Sequence, residues 1–332
     1  MSFALVRFIP VQSNVPFIKG RWIAFIFSAL LIVGSLGVFF AKGLNYGIDF
    51  RGGTMLEVRT EGPADLSAIR TTMSGLGLGD VQVQGVGTDR DLFIRVESLS
   101  LEQIRQIAPD LVTEDTSENG AQQIVRQYVE TALVESFPGI ELRGSSVISP
   151  KVSDELVVKG SMAVGIALIL MLVYIWFRFE WQYSVGAVLA LVHDVIATIG
   201  MFSLTGLEFN LSTIAAILTI VGYSMNDTVV VYDRVREEFR KYKTLEISQV
   251  LNMSINLTLS RTILTSGTTL VALVSLAIFG GHALQGFAFA LIWGIVIGTY
   301  SSIFVAAPLL MLTGVKRTSE EDEAEARFAD KR

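Results

Sequence analysis

Apolar positions in this chain gather into long unbroken runs. Six of them, 22–41, 158–177, 182–204, 211–232, 262–281 and 285–314, approach or exceed the length a helix needs, about 20 residues to cross roughly 30 Å of hydrocarbon. The segment 42–157 between the first two has a different texture. Thr54 to Thr60 (TMLEVRT) and Asp91 to Glu97 (DLFIRVE) alternate apolar and polar residues, and Val81 to Val86 does so more weakly. Period-2 alternation predicts half-buried strands. Helical patterns cover Ala64 to Leu76, opened by Pro63, then Ser100 to Ile107 and Gln122 to Phe137; a last strand, Glu141 to Ile148, is bounded by Pro138-Gly139 and Pro150. The order β-α-β-β-α-β is that of a ferredoxin-like split βαβ domain. The pattern therefore predicts a polytopic α-helical membrane protein of six transmembrane helices, with an α+β ferredoxin-like domain between helices one and two.

Composition agrees. Of 332 residues, 51% are hydrophobic and 17% charged, against about 25% charged in soluble domains. Arg7, Lys19 and Arg21 precede the first run, whose apolar stretch Trp22 to Phe40 is too long for a signal-peptide core and is followed by no small-x-small cleavage site, so it reads as a retained anchor. Cysteine is absent, which excludes a disulfide framework and thiolate metal sites. Lys and Arg concentrate before span one, at Arg178, at Arg234, Arg236, Arg240, Lys241 and Lys243, and at Lys316 and Arg317. Short-loop cations mark the cytoplasmic side, which places both termini (1–21 and 315–332) inside and 42–157 outside. The outer segment is acidic, with 18 Asp and Glu against 10 Lys and Arg over 42–155. The inner loop 233–261 carries Leu245, Ile247, Val250, Leu251 and Ile255, a spacing that predicts an amphipathic helix along the membrane surface. The tail Ser319 to Arg332 reads as a solvated charge run.

Candidate chemistry lies inside the runs. Asn226 and Asp227 continue span four without a break, and an acid there costs at least ~2.5–3.5 kcal/mol on insertion scales. Tyr223, Asn226, Asp227, Val230, Asp233 and Arg234 share one helix face. Asp233 sits at the exit, while Asp227 lies six residues deeper, about 9 Å at 1.5 Å per residue. Span five offers a complementary face of Thr258, Arg261, Thr265, Thr268 and Thr269, with Arg261 at the level of Asp227. An Asp227–Arg261 pair would offset part of each group's burial cost. Span three adds His193 and Asp194, flanked by Gly186, Ala190, Ala197 and Gly200, small residues that allow close helix approach. A buried carboxyl loses proton affinity when a guanidinium approaches and regains it on withdrawal; helix movement would make such a site a proton carrier, with the Thr/Ser face as a path for water. An intramembrane aspartyl protease would also need two acids, Asp194 and Asp227, yet Arg261 stands near one and no Gly-x-Gly-Asp occurs. No Gly-x4-Gly-Lys-Ser/Thr loop is present, and His193 and His282 are too distant to form a metal site. Neither enzyme activity, metal nor nucleic-acid partner is expected.

Four segments carry a family resemblance: Gly47-Ile-Asp-Phe-Arg-Gly-Gly-Thr54, His193-Asp194-Val195, Gly222 to Glu237 (GYSMNDTVVVYDRVRE), and Ser260-Arg-Thr-Ile-Leu-Thr-Ser266. In this order they resemble the SecF family, subunits of the bacterial SecDF protein-export complex in the resistance–nodulation–division superfamily. The resemblance implies an RND-type half of six helices, driven by the proton-motive force without a cofactor. Asp227 and Arg261 would form the proton relay, with Asn226, Asp194, His193, Thr265, Tyr223 and Ser260 as supporting polar groups. The outer domain would be periplasmic and act on translocating preproteins. The implied partners are SecD, which supplies a further relay Asp, the SecYEG channel, and YajC and YidC as further candidates, all at the bacterial inner membrane. Gly47, Asp49, Gly52 and Gly53 would be a structural motif; from the residues alone, Gly52-Gly53 makes a turn into the first strand with Asp49 capping it. The alternative readings are half of a small-molecule or lipid exporter of the same superfamily and a purely structural assembly subunit.

Overall fold

The computed structural model describes residues 13–113 and 116–315, without the side chains of 118, 119, 282 and 283. Arg7, Lys316, Arg317, the acidic tail and the His282 side chain lie outside the described residues. In chain order the elements are α1 (Arg21–Lys42), β1 (Asn45–Tyr46), α2 (Ile48–Arg51), β2 (Gly53–Arg59), α3 (Leu66–Ser74), β3 (Val81–Gly85), β4 (Asp91–Val96), α4 (Leu101–Ile107), α5 (Glu118–Ser136), β5 (Glu141–Ile148), α6 (Pro150–Arg178), α7 (Trp181–Thr205), β6 (Glu208–Phe209), α8 (Leu211–Lys241), α9 (Ile247–Phe279), α10 (Gly281–Ser301) and α11 (Ala307–Leu312). A π-helical turn, Ser302–Ala306, joins α10 to α11. Two compact units result: residues 45–163 with 208–214, and the rest of the described chain.

The first unit is built on a four-stranded sheet in the order β3-β4-β2-β5, every neighbouring pair antiparallel. This is the split βαβ topology that the alternating segments predict. Leu56 and Val58 of β2 and Leu92, Ile94 and Val96 of β4 turn one face of the sheet to Ile69 and Met73 of α3 and to Val125, Val129 and Leu133 of α5, forming one buried core. The first helix is opened by Asp65, whose side chain accepts from the Ser67 and Ala68 amides, rather than by Pro63. A helix N-terminus needs an acceptor for its orphan amides, which proline cannot supply. Ser100 and Gln103 form a reciprocal capping box on α4.

Gly53 opens β2 with φ +116°, pairing with Ile148 of β5, and a Cβ there would collide with the Val96 carbonyl oxygen. Gly53→Ala is therefore expected to lower the stability of the sheet unit by roughly 1–3 kcal/mol. Thermal unfolding of the purified protein tests this, and an unchanged midpoint would contradict it.

The second unit contains most of the long apolar helices; α6 and α8 begin in the first. Among the described residues six helices are long and apolar enough to cross a membrane, Phe17–Lys42, Pro150–Arg178, Trp181–Thr205, Leu211–Lys241, Ile247–Phe279 and Leu284–Leu312. They divide by burial. The most apolar windows of α7, α8 and the last helix are 56%, 50% and 61% buried, against 17%, 6% and 17% for the first helix, α6 and α9. The more buried helices are thus α7, α8 and the last one, while few residues of the apolar window of α6 are buried.

The surface helix expected over 245–255 is not separate. It is the first part of α9, which runs unbroken to Phe279. No glycine or proline interrupts Ile247 to Ser266, so nothing stops the helix at the membrane boundary. Its buried residues Val250, Ser254, Thr258, Thr262 and Ser266 recur every four positions on one continuous face. Asn256 fastens the same stretch to the N-terminal segment, accepting from the Val15 amide and donating to the Val15 carbonyl, each at 2.9 Å.

Candidate functional site

Asp227 lies on the inward face of α8 and is 6% exposed. Its Oδ1 accepts a hydrogen bond from Thr262 Oγ1 of α9 at 2.7 Å, and its Oδ2 accepts one from Ser302 Oγ at the start of the π-turn. Hydroxyls on two other helices thus hold both carboxylate oxygens.

Arg261 is not among these partners. Its side chain is exposed, and among the described residues no ion pair joins it to Asp227. Successive residues of a helix point about 100° apart. The four-residue rhythm of buried positions directs Thr262 inward and Arg261 outward. Asn226 is likewise exposed, as are Ser260 and Thr265, and Thr265 spends its hydroxyl on the carbonyls of Arg261 and Thr262 at 3.0 Å. The open faces of α8 and α9 therefore carry polar groups into the membrane-spanning region.

Asp194 and His193 form a second buried cluster. His193 is 1% and Asp194 0% exposed, and His193 Nδ1 lies 2.9 Å from Asp194 Oδ1. Asp194 Oδ2 accepts from Ser224 Oγ at 2.5 Å and from Ser301 Oγ at 2.7 Å. Ser224 sits three residues before Asp227 on α8. Gly298 of α10 lets that helix close on α8, because a Cβ there would lie 3.0 Å from the Ser224 Cβ. Adjacent residues Ser301 and Ser302 consequently serve different acids, Asp194 and Asp227.

The π-turn makes this division possible. Pro308 follows it, and a proline ring crowds the carbonyl four residues earlier, here Phe304, within the turn. Widening to the π form relieves that crowding and re-aims the serines, the usual setting of such turns at functional positions. Tyr232 Oη secures the turn by donating to the Ala306 carbonyl at 3.1 Å. Tyr223, half-buried on α8, donates to Ser266 of α9 at 3.2 Å, and Ser266 lies 2.7 Å from Thr299 of α10.

Thr262, Ser224, Ser301 and Ser302 were not singled out by sequence reasoning. The available signal was a polar doublet, Ser301-Ser302, inside an otherwise apolar run.

Gly47, Asp49, Gly52 and Gly53 belong to the sheet unit. Asp49 does not cap the glycine turn, as expected, but accepts from the Leu211 amide at 2.8 Å, at the N-terminus of α8. A carboxylate is favoured there by the helix dipole and unpaired amides. The Gly47 amide donates to the Phe209 carbonyl at 2.9 Å, and a Cβ at Gly47 would strike Glu208. β1 and β6 pair in parallel beside this contact. Arg95, on the face of β4 away from the core, reaches Glu208 at 2.6 Å. The glycine-rich motif thus holds the start of α8, the helix that carries Asp227 sixteen residues later.

Fold and site together define a polytopic helical membrane protein with buried carboxylates among its central helices and an α+β unit inserted after the first. Residues 128–316 match the family described as protein export membrane protein SecD/SecF, C-terminal, and residues 37–64 match the SecD/SecF GG motif. The chain is 42% identical over 329 residues to the protein translocase subunit SecF of Cereibacter sphaeroides, covering 98% of this chain and 97% of that one, and 41% identical over 313 residues to the SecF subunit of Rickettsia rickettsii, covering 94% and 96%. A crystal structure of SecDF from Thermus, a translocon-associated membrane protein, superposes with a TM-score of 0.79 at 35% identity. That match covers 92% of this chain and 39% of the SecDF chain. The chain belongs to the SecD/SecF family, among its SecF subunits.

Proposed function

We propose that this chain is the SecF half of a proton-driven protein-export motor in the bacterial inner membrane. It works with a SecD-type half, and its termini are cytoplasmic and its sheet unit periplasmic. The observation that carries this reading is Asp227: a carboxylate buried in a membrane-spanning helix, held by hydroxyls from two other helices, with a guanidinium one residue from one of its partners. The names of the relatives, and the SecDF chain more than twice as long, support the two-half assembly at the Sec channel. YajC and YidC come from the family resemblance alone.

In this mechanism Thr262 and Ser302 hold Asp227 while Arg261 faces outward. A shift of α9 against α8 changes the distance between guanidinium and carboxylate and with it the affinity of Asp227 for a proton. Ser302 and Ser301 extend the hydroxyl path to Asp194 and His193. Because α8 starts at contacts with Asp49, Gly47 and Glu208, its movement reaches the sheet unit, which acts on the emerging polypeptide. One charge crossing 100 mV supplies ~2.3 kcal/mol, whereas reversing a 1:99 equilibrium takes ~5.5 kcal/mol. A single proton therefore biases the switch without fully throwing it.

Arg261 provides the test. Arg261→Gln is expected to leave folding unchanged, since the side chain is exposed, and to move the pH dependence of export in proton-energised vesicles. An unchanged pH profile would remove Arg261 from the relay. Crosslinking the sheet unit in the assembled complex should trap translocating preprotein; exclusive capture of small ligands would favour the exporter reading.

A further inference from the structure

Where α6 ends and α7 begins, the chain forms a cationic pocket against the last turns of α8. A cavity of about 570 Å³ is lined by Arg178, Asp233, Arg236, Glu237, Arg240 and Lys241. Four cations meet two carboxylates there. Arg178 pairs with Asp233 at 2.7 Å, while Glu237 is engaged by Arg234 at 2.7 Å and Lys241 leans towards Glu238 at 3.6 Å. Among the described residues, no ion pair engages Arg236 or Arg240.

The two arginines beside Phe179 are held in place. The Arg178 guanidinium lies 4.9 Å and that of Arg236 5.7 Å from the centre of the Phe179 ring. Phe179 is 4% exposed and is fixed by stacking on Tyr183 and by an edge contact with Tyr232, each at 5.9 Å. Arg236 Nη1 also donates to the Arg178 carbonyl at 3.4 Å. Two like charges are thus kept close on a rigid aromatic platform, an arrangement that a bound anion would stabilise. Planar guanidinium forks suit phosphate oxygens best.

The surroundings specify the anion. Tyr174, Trp176 and Phe177 at the end of α6 and Trp181 at the start of α7 are 51%, 75%, 90% and 60% exposed. Exposed Trp and Tyr at the ends of apolar helices mark the headgroup level of a bilayer. From that level α6 continues as an apolar helix with few of its residues buried by the chain. A ligand here meets a phosphate-sized cationic pocket at one end and a long apolar wall at the other. We infer that this pocket binds the headgroup phosphate of an anionic phospholipid, whose acyl chains lie along α6. The inference needs only that these helices span a membrane and is independent of the export role.

Purified full-length protein in detergent micelles, offered equal amounts of phosphatidylglycerol and phosphatidylcholine of matched chain length, provides the test, with bound lipid counted by native mass spectrometry. Preferential retention of phosphatidylglycerol is expected. At ~1 kcal/mol per cation near a lipid surface, the double change Arg236→Gln with Arg240→Gln should weaken it about 30-fold, with phosphatidylcholine binding unaltered and the protein still folded. The charge-keeping pair Arg236→Lys with Arg240→Lys should retain only part of the preference, keeping the charge but losing the planar fork. Equal retention of the two lipids by the parent protein, or undiminished phosphatidylglycerol binding by the Gln variant, would overturn the inference. Displacement of phosphatidylglycerol by an equimolar amount of inorganic phosphate would do so as well, assigning the pocket to a soluble anion.

Discussion

Asp227→Asn is expected to abolish proton-driven export while leaving the chain folded and assembled. Asparagine has the size and shape of aspartate. Its carbonyl oxygen can still accept from Thr262 Oγ1, and its amide can donate to Ser302 Oγ in place of the present bond. Packing among α8, α9 and the π-turn is therefore preserved. What disappears is the capacity to take up and release a proton. Export driven by an imposed proton gradient in vesicles should fall to the level without a gradient, with the unfolding midpoint of the purified variant held. Export at the parental rate would exclude Asp227 as the carrier. Loss of export together with loss of folding would reassign it to a structural role.

Arg95→Met should have the largest effect on stability, roughly 3 kcal/mol, because removing one partner of a buried ion pair leaves the other charge stranded. Arg95 is 9% exposed and, besides Glu208, donates to Gln82, Asn45 and the Tyr46 carbonyl. Burial, with Asp49 nearby, outweighs Arg95 and pushes the Glu208 carboxyl above its ordinary value. The folded state thus holds this proton more tightly than the unfolded chain. The associated stability is present below the ordinary glutamate pKa and is lost as pH rises through the raised folded value. Without Arg95 the carboxyl is pushed further up, so the defect should be greatest near neutrality and shrink in acid, where Glu208 becomes neutral. Thermal unfolding across pH measures this. A defect independent of pH would show that lost packing, not a stranded charge, is responsible. Glu208→Gln in the same background should recover part of the stability.

The variant also reaches function. β6 and the first residues of α8 are held by Arg95, Asp49 and Gly47, so loosening them should weaken export with Asp227 intact. The role of the glycine motif became visible only with its partners. Asp49 reads in sequence as a local turn cap, yet its acceptor serves Leu211, 162 residues away. No short-range pattern encodes such a distance.

Elsewhere legibility followed the range of the interaction. The strands of the α+β unit lie within a residue or two of their alternating segments, because the period of 2 is imposed by the local pleat and by one buried face. The continuity of the 245–255 stretch with α9 was hidden for the converse reason. A charged, amphipathic stretch reads as a surface helix, but here contacts with Val15 and the neighbouring helices retain it as the start of α9.

Run length and residue depth, both properties of local sequence, determined the six spanning helices, the inserted α+β unit and the placement of an acid at Asp227, since the thickness of hydrocarbon and the rise of a helix leave little freedom. The tertiary structure decided what that acid touches. A rotation of 100° exchanges Arg261 for Thr262, and only the packing of α9 against its neighbours sets that rotation. The π-turn that gives Ser301 to Asp194 and Ser302 to Asp227 likewise depends on how α10 closes against α8. Which helix passes near the membrane is written in composition; which hydroxyl meets which carboxylate is settled by side chains far apart in sequence.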